Sequence, residues 1–163
     1  MVQVLEEYLL SLNESSTAEL LKIVYPDLRP KSINIYNPTD YVSDKAQVDI
    51  EFKNRNEGYY SYLIEKDKYE KLMECDTGYY ISVGANGIFC WDVKKYTNEN
   101  SLNWRWEKHN KTSEFQDRTK IDKLVDYWSI SEAENLTAVL LIHPFLHTNN
   151  KNPKKFMFDF MKY

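Results

Sequence analysis

Val48-Asp49-Ile50-Glu51-Phe52-Lys53-Asn54-Arg55 is the stretch that decides the fold. Apolar side chains stand at 48, 50 and 52, and charged ones at 49, 51 and 53. A period of two belongs to a β-strand, whose successive side chains leave opposite faces. The apolar set is expected to enter a core. Glu51 and Lys53 then share the other face, about 6–7 Å apart at Cα from the rise per residue. A second acid, Asp40, lies a short way upstream.

Working outward, Leu5, Tyr8, Leu9 and Leu12 fall at helix spacing and predict a first helix. Ser16-Thr17-Ala18-Glu19 reads as a capping box that opens a second helix through Val24, with Pro26 and Pro30 ending it. Ser32–Tyr36 is expected to be a strand, Asn37-Pro38-Thr39 a turn and Asp40–Ser43 the next strand. Asp67-Lys68-Tyr69-Glu70 reads as another capping box, opening a helix to about Cys75 with Tyr69, Leu72 and Met73 inward. Gly78–Val83 and Ile88–Val93 predict two strands joined by a tight hairpin at Ala85-Asn86-Gly87. Asn103–Glu107 reads as a further strand, and Lys120–Ile130 as strand or helix with strand favoured at its end. Thr137–Ile142 is a short apolar run stopped by Pro144, and 156–161 fits either class. The sum is an α/β or α+β architecture: a mixed central sheet flanked by helices, with extra C-terminal strands or helix.

The 163 residues suit one domain, with a core over about 1–95 and a C-terminal elaboration over 96–163. At 42% hydrophobic and 15% aromatic, the chain can fill a core, and 4 Gly and 5 Pro exclude a low-complexity chain. The net charge of -4 leaves no overall basic footprint. It is uneven: residues 1–100 hold 11 basic against 17 acidic side chains (net -6), and 101–163 hold 10 against 8 (net +2). A bound divalent cation would invert the local potential around acids, so the acidic total is compatible with an anionic substrate. Cys75 and Cys90 form no Cys-x-x-Cys and are expected to be reduced and buried. The first residues carry neither a basic start nor a continuous apolar run, so neither a signal peptide nor a membrane span is expected. An intracellular, cytoplasmic protein follows, with the sequons at Asn13, Asn110 and Asn135 as chance matches.

Hydrolysis of a phosphodiester needs oxygen ligands for a divalent ion, a source of hydroxide and a positive group against the charge of the transition state. Mg²⁺ keeps several waters, so one or two carboxylates suffice. Asp40 and Glu51 on neighbouring strands can supply them, and Lys53 can orient the attacking water or stabilise the developing charge. The spacing is Thr39-Asp40, ten residues, then Glu51-Phe52-Lys53. In this spacing, and in the helix before and the helical segment after it (62–72), the chain resembles the PD-(D/E)XK nuclease superfamily over about residues 1–95, and a small phage-type member in particular. Thr39 stands where the pattern has Pro. The resemblance implies a restriction-endonuclease-like core and a metal-dependent nuclease hydrolysing DNA, branched or processed DNA included. It implies Mg²⁺ or Mn²⁺ on Asp40 and Glu51, and Lys53 as catalytic. A first-helix acid joins the metal in some relatives, for which Glu6 or Glu7 is available. A homodimer would supply the two sites needed to cut two strands. The alternative is a non-catalytic module on the same fold that binds nucleic acid or protein.

Competing features carry less. Asp44 is a rival acid, and Asp49 shares the face of Glu51 but sits at the strand's start, where a salt bridge is expected. Asp92-Val93-Lys94 fits the same short pattern but closes a strand. A charged edge strand that resists aggregation is the non-catalytic explanation of 49–53. His143 and His147 have zinc spacing only on a helix, which Pro144 opposes. His109 is expected in a solvated loop. Trp104-Arg105-Trp106 interleaves aromatic and basic residues, as base-stacking surfaces do, yet the shared face of the two Trp points to core.

Overall fold

The computed structural model describes residues 2–31, 39–111 and 119–140. The chain is α+β, and its main sheet is mixed. Helices α1 (Val2–Ser11) and α2 (Glu14–Leu21) come first. Three strands follow: β1 (Arg29–Pro30), β2 (Tyr41–Ser43) and β3 (Val48–Asn54). β4 (Ser61–Glu65) leads directly into α3 (Lys66–Glu74), which crosses over to β5 (Thr77–Gly84). β6 (Gly87–Asp92), α4 (Val93–Glu99), β7 (Arg105–Asn110), β8 (Lys120–Ser129), a 3-10 turn (Ile130–Glu132) and β9 (Glu134–Asn135) complete the order.

The six-stranded sheet runs β1-β2-β3-β5-β6-β9, and β4-β8-β7 form a second sheet. β1, β2 and β3 are successively antiparallel, β3 and β5 are parallel, and β5 and β6 are antiparallel. β3, the stretch read first, pairs with β5 over its whole length and with β2 over Val48–Ile50, and the burial of Glu51 removes the explanation that its charge guards an exposed edge. Its alternation separates two cores rather than core from water. Val48, Ile50 and Phe52 pack with Leu9, Leu12, Ala18, Leu21, Ile81, Val83, Ile88 and Leu140 under the first two helices. On the opposite face, Tyr80, Phe89 and Trp91 meet Tyr62, Ile64, Leu72, Val93 and Trp128 from β4, α3, α4 and β8. Glu51 is Cα partner to Tyr80 and so belongs to this second, covered face.

Several local expectations change. The box that forms at α2 is Asn13 with Ser16, each accepting from the other's backbone N–H, so the helix starts at Glu14 rather than after Ser16. Residues 61–65 are strand, not part of a helix over 62–72, because Ser61–Glu65 pairs with Ser129–Val125. The Asp67–Glu70 box does not form, since α3 starts earlier, at Lys66, with Glu65 at its cap making no side-chain bond. Leu72 is nonetheless buried, with Tyr69 and Met73 packed beside it. Asp92 ends β6, as expected, and then caps α4 through the Lys95 N–H, a helix the sequence did not signal. Only Ala85 and Asn86 form the hairpin turn, and Gly87 already pairs with Gly84. Gly87 has φ +148°, which L side chains rarely adopt. At Gly78 a Cβ would lie 2.3 Å from the Leu72 carbonyl oxygen, so the crossover helix closes onto β5 only over a glycine.

The Trp pair splits. Trp104 is half-buried against Tyr69, with ring centroids 5.1 Å apart, whereas Trp106 is 71% exposed on β7, an edge strand of the second sheet. Asn103 and Trp104 precede this strand, which continues to Asn110. His109 lies on it beside Glu107 rather than in a loop. Cys75 and Cys90 are free, with only Cys90 fully buried. Residues 137–140 are helical. The strand expected over Ser32–Tyr36, most of the turn over 37–39, His143 and His147, and the run over 156–161 lie outside the described residues. No helix among the described residues is long and apolar enough to cross a membrane.

Candidate active site

β2 stops at Tyr41, and beyond it the edge of β3 has lost its partner. The Phe52 N–H falls in this gap, and an unpaired amide there would be costly. Asp40 fills it. Its backbone N–H donates to the Ile50 carbonyl, and its carboxylate Oδ2 accepts from the Phe52 N–H at 2.8 Å. Phe52 is the residue between Glu51 and Lys53. The aspartate is thereby fastened to the centre of the Glu51-Phe52-Lys53 segment.

Glu51 is 3% exposed. Its Oε1 lies 3.0 Å from Lys68 Nζ, on the first turn of α3, and its Oε2 is buried with no hydrogen-bond partner. Burial, then the charge of Asp40, push its pKa up to about 8, against the pull of Lys68 and Lys53. Burial alone would lower the pKa of Lys68, but the charge and hydrogen bond of Glu51 outweigh it and raise it. Lys53, half-buried, makes no ion pair among the described residues.

A third acid joins them. Glu14, in the first turn of α2, has its pKa raised by burial, by the Asp40 charge and by a hydrogen bond to Asp40. Lys53 and Lys68 pull it the other way, which places both ammonium groups within its field. Glu6 and Glu7, the helix acids singled out from sequence, are exposed on α1 instead. The rival acids are engaged elsewhere. Asp49 pairs with Lys31 and accepts from the Thr39 hydroxyl, and Asp44 pairs with Arg29 at 2.7 Å.

Glu51, Lys53 and Lys68 open onto a pocket completed by Arg55, Leu63, Glu65 and Tyr80. Its wall is held from behind. The Arg55 guanidinium donates to the Leu63 carbonyl at 2.9 Å, the Tyr80 hydroxyl donates to the same carbonyl at 2.6 Å, and Glu65 pairs with Lys123 at 2.9 Å. The second sheet thus supplies one side of the pocket. Lys68, Glu14 and this wall escaped the sequence reading, because each comes from an element outside the motif strand. The only signal for Glu14 was an acid in the first turn of a capped helix, which is an ordinary favourable placement.

The donors suit a hard divalent cation. They are carboxylate oxygens, one is buried without a partner, and burial followed by the Asp40 charge raises the pKa of Glu51 and Glu14. Among the described residues no group of three or more His, Cys, Asp or Glu could hold a metal ion. Asp40 and Glu51 match the one or two carboxylates that Mg²⁺ takes while retaining waters. Compared with family models, curated proteins and solved structures, the chain matches none.

Proposed function

We propose that the chain is a metal-dependent nuclease that hydrolyses phosphodiester bonds in DNA. The carrying observation is that the Asp40 carboxylate is tied to the amide between Glu51 and Lys53, while the buried Glu51 Oε2 has no hydrogen-bond partner. The charges of Asp40 and Lys53 both act on Glu51, and Lys53 has no ion-pair partner among the described residues, which supports the reading. The order of helices, antiparallel strands, crossover helix and parallel strand also supports kinship with the PD-(D/E)XK superfamily.

Asp40 and Glu51 would hold Mg²⁺ or Mn²⁺, with Glu14 near enough to Asp40 for each to feel the other's charge. The bound ion would supply a nucleophile at neutral pH and offset charge on the phosphoryl oxygens. Lys53, at the pocket, can hydrogen-bond a phosphate oxygen as negative charge builds there. The backbone of β3 fixes the two attachment points, so the Lys53 and Glu51 side chains project from a rigid strand.

The test is incubation of supercoiled, linear and branched DNA with Mg²⁺, Mn²⁺ or EDTA. Cleavage is expected with either metal and not with EDTA. Lys53→Ala, Glu51→Gln and Asp40→Asn should each slow it by about 10²–10⁴-fold, the range for removing one group acting in the transition state. Full activity in these variants would refute the assignment. Metal-independent DNA binding with no cleavage of any substrate would establish the non-catalytic module instead.

A further inference from the structure

Lys68 stands where a cation would meet Glu51, and helix stability does not account for it. It lies in the first turn of α3, where a positive charge opposes the helix dipole. Two other cations line the pocket, Lys53, which has no ion-pair partner among the described residues, and Arg55, which is engaged with the wall. Arg55 binds the Leu63 carbonyl, and Lys123 neutralises Glu65 from behind the wall. Among the described residues Lys68 is the ion-pair partner of Glu51, at Oε1, while Oε2 stays buried and unpartnered. A buried carboxylate in a purely structural pair would have its remaining lone pairs satisfied. Here one oxygen has no partner, while Asp40 and Lys53 lie near enough for their charges to act on Glu51. The Lys68 side chain is 28% exposed and lines the open pocket, so its ammonium can leave Glu51 without crossing packed core.

Resting on the nuclease reading of this pocket, we propose that Lys68 is a positioning residue that holds Glu51 in the metal-free site. It competes with the divalent ion for that carboxylate and is released towards the substrate phosphate when the ion binds. Two cations cannot share Glu51 closely without repulsion, because unit charges about 4 Å apart interact strongly in a partly desolvated site. Lys68 therefore sets the concentration at which metal loads.

The measurement is Mn²⁺ binding to the full chain without DNA, by calorimetry and by loss of the free-ion electron-spin resonance signal. Lys68→Gln and Lys68→Met should bind Mn²⁺ more tightly than the parent, by about tenfold, since a competing charge is gone. Lys68→Arg should stay close to the parent, and Glu51→Gln should lose binding. DNA cleavage by Lys68→Gln should fall despite the tighter metal. Equal or weaker binding by the two charge-free variants would overturn the proposal, because a merely structural lysine leaves Glu51 less well held when removed. Should those variants fail to fold, the parent decides. The side-chain ammonium resonance of Lys68, identified by its loss in Lys68→Arg, should shift on saturation with Mg²⁺, and an unmoved resonance would refute the exchange. A parent that binds no Mn²⁺ would remove the nuclease reading itself, whereas parent binding with unaltered variants removes only the role of Lys68.

Discussion

Glu51 shows what a single residue contributes and what its sequence neighbours can and cannot reveal. Its charge and its lysine two positions on were legible from the period-two alternation, and so was the salt bridge of Asp49 at the strand's start. Its burial was not legible, because alternation says which side chains share a face but not what covers that face. The cover comes from α3 and the second sheet, and with it comes the upward pKa shift. That shift has a sign for stability. The unfolded carboxyl loses its proton near 4.5, and the folded one holds it to about pH 8. Between these values the folded state binds more protons, so stability falls as pH rises through the window and levels off above it. Lys68, with its pKa raised above 10.5, titrates beyond this range and does not contribute to the slope. Glu51→Gln should flatten the slope, and it should gain on the parent by the order of a few kcal/mol at pH 9 relative to pH 5. Urea unfolding at the two pH values measures it, and equal pH dependence in parent and variant would contradict the raised pKa.

At the scale of elements, the readings that held were those with local chemistry to support them. The hairpin around Asn86, the strand at 48–54 and the helix carrying Leu72 all formed. The readings that failed depended on distant partners. Ser61–Glu65 is held as strand by Ser129–Val125, 60 to 68 residues away, and no local pattern announces such a pairing. The cap of α2 failed differently. Ser16 does cap, but as the third helical residue answering Asn13, so the true box began one turn earlier than the one chosen. This cap matters to the pocket, because the same first turn carries Glu14. Asn13→Ala removes the acceptor for the Ser16 N–H and should cost about 1 kcal/mol of stability. It should also weaken Mn²⁺ binding slightly by loosening Glu14, whereas Ser11→Ala, outside the box, should leave metal binding unchanged. Thermal melting and calorimetry on both variants separate these effects, and an Asn13→Ala protein as stable as the parent would show that the cap carries no weight.

Across the whole molecule, one sheet divides two cores and its strands belong to both. β3 sends Ile50 and Phe52 one way and Glu51 the other, β5 sends Ile81 and Val83 against Tyr80, and β6 sends Ile88 and Cys90 against Phe89 and Trp91. Neither face can lose its packing while these strands keep their places for the other. The pocket sits where this matters most, with Asp40 at the strand's open edge and Lys68 on the helix covering the second face. Loosening either core should therefore be felt at the site and on the opposite side. Leu21 is fully buried in the first core, while Trp91 and Trp128 are fully buried in the second. Leu21→Ala should cost about 2–5 kcal/mol. At a slope of about 1–3 kcal/mol per molar urea, the unfolding midpoint should fall by the order of 1–2 M. The decisive point is where the loss is seen. Tryptophan fluorescence, dominated by changes around the two buried indoles, should report the same lowered midpoint as far-ultraviolet circular dichroism, since coincident transitions mark a single cooperative unit. A fluorescence midpoint left at the parent value while the circular dichroism midpoint drops would mean that the two faces unfold independently, and that the sheet does not couple the helices bearing Glu14 and Lys68.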